Sequence, residues 1–275
     1  MKIAIVTPTN RPEKIQDFLA AWKEQFDKYD CKLYIVRDGK HPTVTGQTVK
    51  QVMGSYSDLI YNFNDGVRNL GFAAAYKDGA DIIISLDDDV TPCGDTVGDH
   101  LQALNMETNT SWMNTAEKYR MRGYPFGNKS EVVLSHGTWK GVADFDASSQ
   151  LVHKTPSVET FRIPVPKSCL FPMCIMNVAF KRQMTPYMYQ APMFGDINRF
   201  ADIWGGIEAK KDIDANGWAA VTGYAKVNHL RASDPFVNLV KEARGIGMNE
   251  KYGEDPYFKL FFEKRKSWQE FIKSI

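Results

Sequence analysis

Apolar residues follow two alternating rhythms along this chain. Ile3, Ala4, Ile5 and Val6 form a short continuous run, as a strand buried on both faces requires. After the polar turn Pro8-Thr9-Asn10-Arg11-Pro12, apolar residues return at Ile15, Phe18, Leu19, Trp22 and Phe26. That is the spacing of one helix face, with Pro12 at a first helical position. Leu33-Tyr34-Ile35-Val36 repeats the strand pattern and stops at Arg37-Asp38-Gly39, and Leu59-Ile60-Tyr61 predicts a weaker third strand. Gly71-Phe72-Ala73-Ala74-Ala75-Tyr76 predicts a small-residue helix leading into a strand from Ile82 to Leu86. Such alternation predicts a mostly parallel sheet covered by helices.

From Leu101 to Pro166 the rhythm breaks into a turn-rich, aromatic segment, as expected of chain folded over a site. Cys169 to Phe180 is apolar enough to thread the centre of the sheet. Trp204 to Asn216 predicts a helix, Ala219 to Tyr224 a strand with Asn228-His229 at its exit, and Phe258 to Ile272 an amphipathic surface helix. There is no linker, repeat or low-complexity stretch, so a single domain is expected over 1–275. Residues 1–95 form its nucleotide-binding half, 96–245 its sugar-binding and catalytic half, and 246–275 a tail helix.

Composition narrows the partners. With 34 basic and 33 acidic residues the net charge is +1, which disfavours nucleic acid. No run approaches the roughly 20 apolar residues of a membrane span, and a cytoplasmic protein is expected. Cys31, Cys93, Cys169 and Cys174 lack any CxxC pair, so neither zinc site nor disulfide framework is expected, and Cys169 and Cys174 are expected to be buried and inert.

Candidate chemistry concentrates at Ser85-Leu86-Asp87-Asp88-Asp89-Val90, three carboxylates directly behind an apolar strand. In an extended chain Asp87 and Asp89 share one face and Asp88 takes the other. Two such oxygen ligands suit Mn²⁺ or Mg²⁺, which complete their shells with phosphate oxygens. The alternative is a solvated acidic turn, in which three adjacent charges repel without a cation. Ligands of open parallel sheets collect beyond the carboxyl ends of strands, where Thr7, Thr9, Arg11, Asp38, Asp87 and Asp88 all lie. Neither GxGxxG nor GxxxxGK[ST] follows the first strand. The reading left is a glycosyltransferase A-like (Rossmann-like) α/β domain that holds a nucleotide-sugar diphosphate through carboxylates and a metal ion. On that architecture Asp38 accepts the uracil N3 hydrogen and Arg11 meets a phosphate oxygen. His229 is a further metal ligand or an ordinary hydrogen-bonded histidine, Lys167 a phosphate contact or a strand-edge lysine, and His136 structural.

Several blocks also resemble the reversibly glycosylated polypeptide family, whose best known members are plant UDP-arabinopyranose mutases. They are Ser85-Leu86-Asp87-Asp88-Asp89, Arg122-Gly123-Tyr124-Pro125-Phe126, Ser135-His136-Gly137, Leu170-Phe171-Pro172-Met173-Cys174, Met176-Asn177 and Asp234-Pro235-Phe236-Val237-Asn238-Leu239. The resemblance implies a metal-dependent, flavin-independent interconversion of UDP-arabinopyranose and UDP-arabinofuranose, with a tendency to homo-oligomers. It implies a sugar attached to Arg122, with Asn177 and Gly205 among the substrate contacts; the candidate base is Asp202, which precedes Trp204-Gly205-Gly206 where the glycosyltransferase A architecture commonly places an acid. One departure stands out: the family carries two adjacent acids where this chain has Ala201-Asp202. A UDP-sugar glycosyltransferase and a self-glycosylating scaffold that binds UDP-sugar are the alternatives.

Overall fold

The computed structural model describes residues 1–114, 119–153, 161–229 and 234–275. The first apolar run forms β1 (Ile3–Thr9), the helical spacing after it α1 (Ile15–Lys28), and the next run β2 (Cys31–Arg37). A hairpin of β3 (Thr43–Val44) and β4 (Gln47–Thr48) leads into α2 (Val49–Met53), followed by α3 (Arg68–Lys77) and β5 (Ile82–Leu86). Then come β6 (Val90–Pro92), α4 (Thr96–Leu104), β7 (Glu107–Thr108), β8 (Ser130–Gly141), α5 (Ala147–His153), β9 (Ile163–Pro164) and β10 (Asn177–Lys181). The chain closes with α6 (Ala201–Ala215), β11 (Ala219–His229), α7 (Pro235–Glu250) and α8 (Pro256–Ser274).

The main sheet runs β4-β3-β2-β1-β5-β10-β8-β11-β6. β1 is parallel to β2 and β5, and β11 is parallel to β8. β10 joins the two parallel sets as an antiparallel strand between β5 and β8. The carboxyl ends of β1, β2, β5, β8 and β11 therefore share one edge, where β10 begins.

Alternation along β1 sends Ile3 and Ile5 into a core with Phe18 and Trp22 of α1 and Val97 and Leu101 of α4. Ala4 and Val6 face the larger core of α2, α3, α6 and α8, which holds Phe72, Phe180, Trp204 and Trp268. A fully buried Leu- or Phe-sized side chain contributes roughly 1.5–3 kcal/mol, so two such layers anchor the shared edge firmly. The indole Nε1 of Trp22 also donates to the Val90 carbonyl (2.8 Å), tying α1 to the chain just beyond the three aspartates.

The structure departs from the sequence reading in several places. Pro12 lies in the turn before α1, whose N-cap is Lys14. Leu59-Ile60-Tyr61 is not a strand: a 3-10 helix ends at Leu59, and the sheet edge beside β2 is taken by the β3–β4 hairpin. The stretch from Cys169 to Met176 is irregular, and pairing begins only at Asn177. The twelve-residue β8 was hidden because its inward positions include Ser135, His136 and Thr138, which break the apolar pattern. The tail helix is amphipathic as expected, with Phe258, Phe261, Trp268, Phe271 and Ile272 buried in the larger core. Among the described residues no helix is long and apolar enough to cross a membrane.

Candidate functional site

β5 stops at Leu86, and the chain turns through 87–89 before β6. The strict alternation expected of an extended chain is therefore lost. Asp88 and Asp89 both turn to Arg11, whereas Asp87 turns to Arg68, so the shared face expected for Asp87 and Asp89 is not formed. The Asp88 carboxylate is nearly buried and accepts from the Thr9 hydroxyl (2.6 Å) as well as from the Arg11 guanidinium. Asp89 receives a second Arg11 contact at 3.1 Å. Thr9 in turn accepts from the Arg11 backbone N–H (3.0 Å), which fixes the turn after β1. Asp88 is thus bound up in holding Arg11.

Arg68 is the residue that sequence reasoning missed. It opens α3, is 1% exposed, donates to the Ser85 hydroxyl (2.9 Å), pairs with Asp87 and lies 3.6 Å from Asp65. Its Nε is buried without a partner among the described residues. Burial pushes the Asp87 carboxyl up to about 6 despite the attraction of Arg68. An arginine just ahead of the small and apolar run Leu70 to Ala75 was the available signal, since that whole part of the helix is buried.

His229 ends β11 and pairs in register with Val90, the residue after Asp89. Its Nδ1 faces the Val142 carbonyl at 2.8 Å, an arrangement that fixes Nδ1 as the donor and leaves Nε2 as the basic nitrogen. Among the described residues no three His, Cys, Asp or Glu side chains converge into a closed metal cage. The donor set does fit an ion that takes one or two protein ligands and the rest from phosphate and water. Asp89 and His229 lie at neighbouring positions for that role through the pairing of Val90 with His229, and Asp87 and Asp89 each also meet an arginine, Arg68 and Arg11 respectively.

A second group of acids faces the same edge from α6. Asp202 sits in the first turn of α6, where its Oδ2 accepts from the Ile175 N–H (3.2 Å) and Oδ1 from the Ile203 N–H (3.0 Å). Those donors and the helix N-terminus favour a carboxylate. Burial, with Asp65 and Asp144 close by, outweighs them and holds Asp202 well above the usual carboxylate range, toward its protonated form. The side chain expected to be the base is therefore held with a strengthened affinity for the proton. Asp144 shares a hydrogen bond with the Cys174 thiol, which burial pushes far up and makes inert as expected. Ala201 is fully buried, and its carbonyl accepts from Ala191 N–H at 2.9 Å.

The loop before Asp202 is held from α7. Buried Glu242 accepts from the Ala147 N–H (2.8 Å) and from Nε of Arg199 (2.8 Å), a residue with φ of +62°. Gly245 on the same helix lets α7 approach Phe200 so closely that a Cβ there would sit 2.2 Å from the ring.

Asn177 opens β10 at this edge, paired with Leu86, but its side chain is turned into the fold, and Gly205, Lys167 and Arg122 are not among the side chains gathered there. Asn177 is fully buried: its amide donates to the carbonyls of Thr138 (3.1 Å) and Ala225 (3.5 Å), and its Oδ1 faces His100 Nε2 at 2.8 Å. Its hydrogen bonds are spent inside the fold. Gly205 is a packing residue of α6, where a Cβ would lie 2.8 Å from the Tyr189 carbonyl. Lys167 is exposed beside Ser168, whose N–H donates to Asp214 (3.0 Å). Asp214 lies twelve residues beyond Asp202 on α6, so about 18 Å of helix separates the two. Arg122 is exposed in a turn, and among the described residues no hydrogen bond or ion pair links it to Asp202 or to the three aspartates. Cys169 is exposed, contrary to expectation, because it lies in the irregular stretch before β10.

The remaining expectations fall at the edge. Thr7 is buried near the end of β1 with its hydroxyl unpartnered among the described residues. Asp38 lies just beyond β2, where its N–H donates to the Thr9 carbonyl (2.8 Å) and its Oδ1 accepts from Gly39 N–H (2.7 Å) and Phe63 N–H (2.9 Å). His136 is structural as expected, buried with Nδ1 2.9 Å from the Thr222 hydroxyl.

Among solved structures, glucosyl-3-phosphoglycerate synthase from Mycobacterium tuberculosis, in complex with Mn²⁺, UDP and glucosyl-3-phosphoglycerate, superposes with a TM-score of 0.53 at 13% identity, over 93% of this chain and 81% of that one. At that identity the likeness is one of fold, and the fold is the expected glycosyltransferase A one. UDP-arabinopyranose mutase 3 of Arabidopsis thaliana is 35% identical over 286 residues, covering 91% of this chain and 76% of that protein. UDP-arabinopyranose mutase 1 of Oryza sativa subsp. japonica is 34% identical over 285 residues, covering 90% and 75%. The reversibly glycosylated polypeptide family matches residues 1–264, and this chain belongs to that family.

Proposed function

We propose that this chain is a UDP-sugar mutase that interconverts UDP-arabinopyranose and UDP-arabinofuranose, dependent on Mn²⁺ or Mg²⁺ and independent of flavin. The observation that carries the reading is the 35% identity over nine-tenths of the chain to proteins of that activity. The arginine-and-acid edge at the carboxyl ends of the strands supports it. Arg11 neutralises phosphate charge, Asp38 takes the uracil N3 hydrogen, and Asp89 with His229 hold the metal ion. When bound, the ion supplies positive charge to the leaving diphosphate.

The isomerisation must exchange the ring oxygen O5 for O4 at the anomeric carbon. The bond from that carbon to phosphate breaks with its electron pair on UDP, and a nitrogen of Arg122 captures the carbon while losing a proton to a carboxylate. The nitrogen lone pair then opens the bond to O5, which takes a proton. The O4 hydroxyl attacks the same carbon and gives up a proton, and UDP returns to expel Arg122. The carboxylate thus takes up a proton twice, from Arg122 and from the O4 hydroxyl, and returns it twice, to O5 and to the departing Arg122. Asp202, whose hold on a proton is strengthened by burial, suits that alternation between its two forms. This route requires the turn carrying Arg122 to come onto the site.

The test is incubation with UDP-arabinofuranose and Mn²⁺ and separation of the ring isomers. Appearance of the pyranose supports the mutase, and unchanged substrate overturns it. In the same assay Arg122→Ala abolishes isomerisation if the adduct lies on the route, whereas continued turnover removes it. A self-glycosylating scaffold is the second reading, favoured by Ala201 in place of a family acid, and it would stop near one sugar per chain.

A further inference from the structure

Phe63 is held against its own preferences in two respects. Its φ is +59°, a conformation that bulky L residues rarely adopt, and its ring is 68% exposed. Exposed apolar side chains are common, and a left-handed turn is commonly a glycine or asparagine. An exposed aromatic ring kept in that conformation is uncommon, and it points to a use outside folding. Asparagine flanks Phe63 on both sides, so a residue suited to the turn lies one position away in either direction.

The turn is also built. Phe63 N–H donates to Asp38 Oδ1 (2.9 Å), Asn62 Nδ2 to the Gly39 carbonyl (2.9 Å), Asn64 Nδ2 to the Asn62 carbonyl (2.7 Å) and Gly66 N–H to Asn64 Oδ1 (2.8 Å). Residues 62–64 are thereby fastened to the end of β2, and Asp38 to the end of β1 through the Thr9 carbonyl. Asp38 receives both of its backbone donors on Oδ1, which leaves Oδ2 without a hydrogen-bond donor among the described residues. Among the described residues no ring contact or core cluster includes Phe63.

We propose that Phe63 is the stacking platform for the base of the nucleotide, one face of a slot whose edge is read by Asp38. A pyrimidine presents the flat π-surface that such a ring takes, and the N3–H of uracil presents the donor that Asp38 Oδ2 accepts. The inference rests on the nucleotide-sugar reading and adds to it the residue that binds the base.

The test is calorimetric titration of wild type, Phe63→Ala, Phe63→Gly and Phe63→Trp with UDP and, separately, with pyrophosphate, all in Mn²⁺. Loss of a base–aromatic stack weakens binding roughly tenfold or more. The Ala and Gly variants therefore lose that much UDP affinity and keep their affinity for pyrophosphate, and the Trp variant binds UDP as wild type does. Phe63→Gly also separates function from folding, because glycine adopts a positive φ freely and its melting temperature does not fall. UDP binding by wild type with undiminished affinity in both small variants overturns the platform alone, as does an equal loss of pyrophosphate. Failure of wild type to bind UDP overturns the nucleotide-sugar reading and this inference with it.

Discussion

Acidification from pH 7.5 to 5 should destabilise the fold through two histidines that the site does not use. His100 is fully buried between Ser135 Oγ, 2.9 Å from Nδ1, and Asn177 Oδ1, 2.8 Å from Nε2. The Asn177 amide donates to two carbonyls, so its Oδ1 must accept from His100 Nε2–H, and Nδ1 must accept from the Ser135 hydroxyl. The neutral ring satisfies every partner. Burial lowers His100 to about 4 and, with the nearby His100 charge, lowers His136 to about 4. A histidine of ordinary affinity in the unfolded chain takes up its proton from about pH 6.5 downward. Stability from this source is therefore fully present above about pH 6.5 and is lost as pH falls toward 4. At pH 5 this amounts to about 2 kcal/mol for His100. The assay is urea denaturation of wild type and His100→Gln at both pH values. Glutamine can keep a donor toward Asn177 and an acceptor toward Ser135 but does not titrate. The variant should lose about 2 kcal/mol less on acidification, roughly 4–8 °C in melting temperature. Equal losses in the two proteins would refute the reasoning.

Asp202 has the opposite sign: its carboxyl is raised, so its contribution is present at low pH and declines as pH rises through its folded value. Asp202→Asn, which mimics the protonated form, should therefore melt no lower than wild type at pH 8, while turnover falls about 100-fold or more and UDP affinity is kept; a large loss of stability at pH 8 would contradict the assignment. Asp89→Asn should remove the Mn²⁺ enhancement of UDP binding measured by calorimetry, and an unchanged enhancement would move the metal elsewhere. Arg68→Met leaves Asp87 and Asp65 without their buried cation and should cost about 3–5 kcal/mol in denaturant titration; a loss below about 1 kcal/mol would show that the pair is solvated. Gly205→Ala should cost about 1–3 kcal/mol, since its Cβ would meet the Tyr189 carbonyl at 2.8 Å, and unaltered stability would mean that the helix shifts freely.

The first half of the fold was legible because strands buried on both faces and a one-sided helix leave strong periodic signals, as in Ile3 to Val6 and Ile15 to Phe26. The acidic edge was legible for the same reason, three charges being conspicuous behind Ile82 to Leu86. β8 was not, because its burial is partly polar: Ser135 and His136 are satisfied by partners 35 and 86 residues away in sequence. Arg68 was invisible for a similar reason, since its partners Ser85 and Asp87 meet it only once α3 has packed against β5. Asn177 and Gly205 were misread in the other direction. A residue in a family block can be retained for packing or for an internal hydrogen-bond network as readily as for contact with substrate.

Glu242, Gly245 and Asn249 lie on one face of α7, and each touches a different part of the entry to α6: Arg199, the Phe200 ring, and the Trp204 indole at 3.2 Å. Through Ala147, Glu242 also grips the loop that brings Asp144 toward the cleft. A helix with no place in the chemistry thus acts as the jig on which both acid-bearing loops are mounted. A substitution on the inner face of α7 that loosened these contacts should therefore disturb Asp144 and Asp202 together. Its signature in an activity screen would be that of a damaged active site, from a residue that never meets the substrate.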